Sequence, residues 1–144
     1  HYGIGTDGAT TSITISPIEP AHTRALLHKH EKQDSTLSDV KSIWKLLMNG
    51  HRAFKFNSGK LKVGYSADLI VWDLNRINTI PLYNPLASII YSSDSSNIKA
   101  VMINGDYVKE DYHLKVDEQS LIQEVQVRVN DLLERGKGKA KVQF

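Results

Sequence analysis

Apolar residues recur along this chain with two periods, and the change of period divides it. Val40, Ile43, Trp44, Leu47 and Met48 fall at i, i+3, i+4, i+7 and i+8, the buried stripe of a helix. Ser38 and Asp39 stand before that stripe as polar residues suited to its start. Asn49-Gly50 is expected to interrupt it, with His51-Arg52-Ala53-Phe54 adding one more turn. Upstream, residues 21–31 suit another helix, entered through Pro17 and Pro20 and broken at Asp34-Ser35-Thr36, with Ala21, Ala25, Leu26 and Leu27 available for burial. Tyr2-Gly3-Ile4 can close a strand, after which Gly5, Gly8 and Thr10-Thr11-Ser12 read as loop.

Past residue 55 the pattern shortens. Ser58-Gly59-Lys60 and Val63-Gly64-Tyr65-Ser66 are turns. Leu69-Ile70-Val71-Trp72, bounded by Asp68 and Asp73, is an unbroken apolar run of strand length, and it predicts a strand buried on both faces. Ala100-Val101-Met102-Ile103 is a second, and Asn104-Gly105 supplies a two-residue hairpin turn back into Asp106-Tyr107-Val108-Lys109. Between them, residues 84–92 predict a short helix with Asn84 as cap and Pro85 at its first position. Asp117 caps a long final helix with Leu121, Val125, Val129, Leu132 and Leu133 on one side, expected to cover the strands. The run Gly136 to Lys141 reads as a mobile basic tail.

Composition narrows the function classes. The chain has 144 residues, 40% apolar and 24% charged, with a net charge of +2. A globular core is expected, and so near-neutral a balance gives no case for nucleic acid or an anionic membrane as partner. The absence of cysteine excludes disulfides and thiolate metal sites and suits a cytoplasmic setting. No apolar run approaches the ~20 residues of a membrane span. The opening His1-Tyr2-Gly3-Ile4 lacks the basic start and apolar stretch of a signal peptide, and it is expected to lie inside a larger fold.

Most chemistry-bearing residues have an ordinary reading. His28-Lys29-His30 imitates a His-x-His metal pair, but on a helix residues two apart point about 200° apart, so these histidines are expected to face solvent. His51 and His113 have no partner at ligand spacing. Asp68 and Asp73 mark strand ends, and Trp44 and Trp72 are packing residues. Asp7, between Thr6 and Gly8, is by itself a turn residue.

Four segments in order change that last reading: Gly5-Thr6-Asp7-Gly8-Ala9, the run Leu61 to Asp73, Pro81-Leu82-Tyr83-Asn84-Pro85-Leu86 with Ile90-Tyr91-Ser92-Ser93, and the run Val101 to Val108. Together they resemble the metal-dependent amidohydrolase superfamily. The likeness is to the branch of S-adenosylhomocysteine and methylthioadenosine deaminases, cytosine-type deaminases and triazine chlorohydrolases, and it spans roughly residues 1–130. The resemblance implies an α/β chain: the last strand and helices of a (β/α)8 barrel, the C-terminal strands of a small β-sandwich, and a C-terminal helix. Residues 1–54 would close the barrel, 55–133 would form part of the composite sandwich with the terminal helix, and 134–144 would be the tail.

It further implies hydrolysis of non-peptide C–N or C–Cl bonds in N-heterocycles, most simply deamination by a water activated on Zn2+ or Fe2+. Asp7 matches the aspartate that ends the eighth strand, a metal ligand and proton shuttle. The histidine ligands of the family lie on strands this chain lacks, so the chain alone is expected to bind no metal tightly and to be inactive. Ser12 and His22 are the substrate-loop candidates: Ser12-Ile13 stands where relatives carry two asparagines, His22 where they carry arginine, and Ser16-Pro17 replaces Asp-Met. The implied partners are a small N-heterocyclic substrate and the N-terminal part of the same protein, with self-association through open strand edges in its absence. The alternative is a non-catalytic α+β module that completes a sandwich or an oligomer.

Overall fold

A computed structural model describes residues 2–9 and 14–137. Helix α1 spans Ile18–Lys32 and α2 spans Val40–Ala53. Proline is tolerated in the first turn of α1 because its missing N–H has no helical partner there. Gln33, at φ 51°, ends α1 in the left-handed conformation. The Asp39 carboxylate caps α2, accepting from the N–H groups of Lys41 (3.0 Å) and Ser42 (3.2 Å).

Two sequence expectations fail here. Asn49-Gly50 does not interrupt α2, which continues to Ala53. A helical glycine costs only about 1 kcal/mol, and Asn49 is held because its side-chain amide donates to the Tyr2 carbonyl (2.9 Å). Nor do residues 2–8 form a strand. Among the described residues no neighbouring strand offers them a ladder, and Ile4 N–H donates to the Leu46 carbonyl of α2 instead (3.3 Å). The approach is close: a Cβ on Gly3 would lie 3.1 Å from that carbonyl oxygen.

The buried centre is helical. Ala21 and Ala25 of α1, Ile43 of α2 and Ile90 of α3 (Pro85–Tyr91) form one cluster, with Ile4, Leu46, Leu47 and Tyr91 packed around it. The two alanines let α1 approach its neighbours closely. α3 starts as the sequence predicts: Asn84 accepts from Ala87 N–H (3.2 Å), and Pro85 takes the first helical position.

Beside the helices lies an antiparallel sheet in the order β1 (Leu69–Trp72), β2 (Ile98–Ile103), β3 (Asp106–Glu110), β4 (His113–Leu114). Asn104 and Gly105 turn β2 into β3 at φ 52° and 95°, the positive pair that a tight hairpin requires. Asp68 fastens this turn to β1 by accepting from Asn104 N–H at 2.8 Å. A second turn, Asp111-Tyr112, is also left-handed and leads into β4. The expectation of strands buried on both faces is not met: Ile70 is 54% and Val71 50% exposed, and since successive strand residues point to opposite faces, neither face of β1 is fully covered by a described element. The final helix, α4 (Glu118–Gly136), is capped by Asp117 as expected, yet it buries none of its residues. Leu121, Val125, Val129, Leu132 and Leu133 are all exposed, so α4 does not cover the sheet. Among the described residues no helix is long and apolar enough to cross a membrane.

Candidate functional site

Residues 2–4 run along α2, and the chain turns where that contact ends. Asp7 takes φ 58°, a conformation that aspartate tolerates better than most residues. Its Oδ1 folds back to accept from Gly8 N–H at 2.7 Å, and Thr6 Oγ1 donates to its carbonyl at 3.1 Å. No other described group donates to the carboxylate, so its second oxygen is available.

Asp7 lines an open groove of about 350 Å³ with Thr6, Thr14, Ser16, Glu19 and Thr23. Thr14 Oγ1 donates to Glu19 Oε2 at 2.8 Å, which ties the returning loop to the first turn of α1. Among the described residues the groove is therefore walled by hydroxyls, two carboxylates, Gly5 and Pro20, with no large apolar side chain. Thr14, Glu19 and Thr23 were not singled out from sequence, where they read as ordinary loop and helix-surface residues. The only available signal was the placing of a carboxylate in the first turn of the helix that follows Asp7.

The other candidates are dispersed. Ser12 lies outside the described residues. His22 does not line the Asp7 groove; its ring meets Tyr91 edge-on at 5.5 Å between centroids. His28 is half-buried rather than solvent-facing, because its Nδ1 is hydrogen-bonded to Ser38 Oγ at 2.7 Å, while His30 is exposed. His51 pairs with Ser58 (2.6 Å) and His113 with the Asp111 carbonyl (2.7 Å), both local structural roles. Asp68 and Asp73 serve strand ends, as expected. Tyr112 Oη donates to Asp73 at 2.5 Å, which with the Asn75 N–H holds that carboxyl below its ordinary range and pushes the phenol up.

Among the described residues no three His, Asp or Glu side chains converge to hold a metal. Asp7 suits a hard divalent cation as one oxygen donor, but a zinc site takes three or four ligands. Asp7 can therefore supply one donor of such a set.

A second cavity, about 550 Å³, opens between α2 and the sheet, lined by Trp44, Met48, Leu69, Trp72, Leu86 and Val101 among others. Both tryptophans thus pack at one apolar groove that remains open.

The model of the amidohydrolase family matches residues 1–108. A 5-methylthioadenosine/S-adenosylhomocysteine deaminase of Acetivibrio thermocellus is 33% identical over 136 residues, 90% of this chain and 32% of that protein. A 5′-deoxyadenosine deaminase of Methanosarcina barkeri is 31% identical over 94% of this chain and 32% of its own length. Among solved structures, a zinc-bound adenosine deaminase from Xanthomonas campestris superposes with a TM-score of 0.85 at 26% identity, over 92% of this chain and 31% of that one. A zinc complex of atrazine chlorohydrolase from Arthrobacter aurescens gives 0.75 at 16% identity over 83% of this chain and 28% of its own, a likeness of fold. The chain thus spans about a third of the length of these relatives.

Proposed function

The chain belongs to the amidohydrolase family, and on that footing we propose that it is the C-terminal part of a metal-dependent hydrolase that deaminates an N-heterocycle. Asp7 is its contribution to the metal site and to proton transfer. The observation that carries this reading is the placing of Asp7: an exposed carboxylate with one oxygen accepting from Gly8 N–H, on an open groove it shares with Thr6, Thr14, Ser16, Glu19 and Thr23. It sits in the segment Gly5-Thr6-Asp7-Gly8-Ala9 within the matched region.

The same proposal extends to the architecture. Residues 1–54 close a (β/α)8 barrel, with Tyr2-Gly3-Ile4 as its last strand once neighbouring strands are supplied. Residues 55–133 belong to a composite β-sandwich and terminal helix; that helix runs on to Gly136, past the expected start of the tail at 134, and positions 138–144 of the expected tail lie outside the described residues. The exposed face of β1 and the open Trp44–Trp72 groove support this division, since both offer apolar surface for strands from the N-terminal part. The histidine ligands belong to that part as well, and Zn2+ or Fe2+ is the metal.

When bound, such a cation supplies Lewis acidity that brings the pKa of a water toward ~7. Asp7 offers one oxygen as a hard ligand and keeps the other for the proton. That carboxylate takes a proton from the attacking water and delivers it to the departing amino group, which leaves as ammonia, while the second water proton ends on the adjacent ring nitrogen as the carbonyl forms. The hydroxyls of Thr6, Thr14, Ser16 and Thr23 give the groove donors and acceptors for a polar substrate.

The test is Asp7→Asn in the intact protein. The amide keeps the size of the side chain but takes no proton at neutral pH, so turnover of adenosine-type substrates, read as ammonia release, falls by about 10²–10⁴-fold or more. Activity within tenfold of wild type removes Asp7 from the mechanism.

A further inference from the structure

A cleft of about 590 Å³, separate from the Asp7 groove, lies between α1 and α2. Its walls are cationic. Arg24 and His28 of α1 are one helical turn apart, and Ser42, Lys45, Asn49 and Arg52 of α2 follow the i, i+3, i+7, i+10 spacing of a single face. Among the described residues no carboxylate lines the cleft. The nearest acid in sequence, Asp39, is consumed by its cap and by Ser42 Oγ at 2.5 Å. Among the described residues Arg24, Lys45 and Arg52 form no ion pair, whereas cations elsewhere do: Lys99 with Asp111, Lys115 with Glu110, Arg128 with Glu124. The apolar floor comes from Ile43 and Leu46, and Tyr2 stands at the lip.

We propose that this cleft seats an acidic helical segment of the N-terminal part of the protein, whose carboxylates pair with Arg24, Lys45 and Arg52. Lys45 and Arg52 are seven residues apart, about 10 Å along the helix axis, so carboxylates one heptad apart on a second helix match them. Unpaired arginine and lysine over an apolar floor favour such an occupant over an apolar or basic one. That the segment comes from the same protein rests on the reading above: the relatives are about three times longer than this chain.

The experiment uses the 144-residue chain and an alanine-rich helical peptide with glutamates seven residues apart, beside its glutamine counterpart. Anisotropy is measured at ~50 and ~200 mM salt, a range over which exposed charge pairs are increasingly screened. The glutamate peptide binds, more weakly at the higher salt, and the glutamine peptide does not. Arg24→Gln with Arg52→Gln weakens binding tenfold or more. Arg24→Lys with Arg52→Lys, which keeps the charge, retains most of it, and Lys99→Gln with Lys115→Gln changes nothing. Equal binding of both peptides, or loss no greater than with the Lys99/Lys115 pair, overturns the proposal. So does inorganic phosphate displacing the peptide at concentrations equal to the peptide's own, which marks a small-anion site. Self-association of the chain abolished by the arginine variants marks a second copy as occupant and also overturns it. In the intact protein, the Arg24/Arg52 glutamine pair lowers Tm while metal content stays at the wild-type level; an unchanged Tm refutes the N-terminal source. None of these readouts involves turnover, so failure of the role given to Asp7 is detected separately.

Discussion

Asn97 is the most completely enclosed polar side chain in the sheet region, at 0% exposure, and its removal has a calculable cost. Its Oδ1 accepts from Asp94 N–H (3.0 Å) and from the Asn78 amide (2.8 Å), and its Nδ2 donates to the Asp73 carbonyl (3.1 Å) and to Asn78 Oδ1 (3.2 Å). It therefore locks the end of β1, the loop before α3 and the turn entering β2. Asn97→Ala leaves the Asp94 N–H and the Asp73 carbonyl without their partner and opens a side-chain void. At about 1–1.5 kcal/mol for each partly solvated backbone group, with a further contribution from the void, the loss is about 3 kcal/mol. For a chain of this size roughly 3 °C of Tm corresponds to each kcal/mol, so a drop of about 10 °C is expected. Urea and thermal unfolding followed by far-ultraviolet circular dichroism measure it, with exposed Ser96→Ala as the control. A loss below about 1 kcal/mol would refute the claim that this network holds the sheet to its loops.

Tyr112→Phe removes the hydroxyl that chiefly keeps Asp73 acidic. The Asp73 pKa, depressed in the folded state, then rises toward the ordinary carboxylate value in a carboxyl NMR titration. A depressed carboxylate contributes stability that is present above its unfolded pKa and fades as pH falls through the folded one. The variant is therefore less stable than wild type at neutral pH, and the gap closes in acid; a gap independent of pH contradicts the assignment. Asp39→Ala deletes the cap of α2 and lowers the urea midpoint, with no measurable change counting against it.

Local signals were legible in the sequence, and long-range ones were not. Asn84-Pro85, Asn104-Gly105 and Asp117 each act on their own backbone within four residues, and each element they predict is present. The run of α2 through Asn49-Gly50 depends on residues 2–4 lying against it, a contact no local pattern carries. The Asp111-Tyr112 turn escapes notice because tyrosine at φ 69° is unusual; it is held by Asp73 and by Arg76 stacked over the Tyr112 ring at 5.5 Å. Strand positions at Leu69–Trp72 and Ala100–Ile103 follow from apolar run length, but their burial depends on which elements cover them. Asp7 stands out only through the family resemblance, since its own neighbours describe a turn. The cationic cleft reads as an ordinary solvated face until two helices bring their walls together.

Metal content tests the central claim most directly. The 144-residue chain and the intact protein are each purified with and without Asp7→Asn, and zinc and iron are quantified per polypeptide. The intact wild type is expected to hold a stoichiometric ion, its Asp7→Asn variant to hold the ion less tightly, and the chain alone to retain none. Stoichiometric metal held by the chain through Asp7 and one of its own histidines, or unaltered affinity in the intact variant, contradicts a shared site that Asp7 helps to complete.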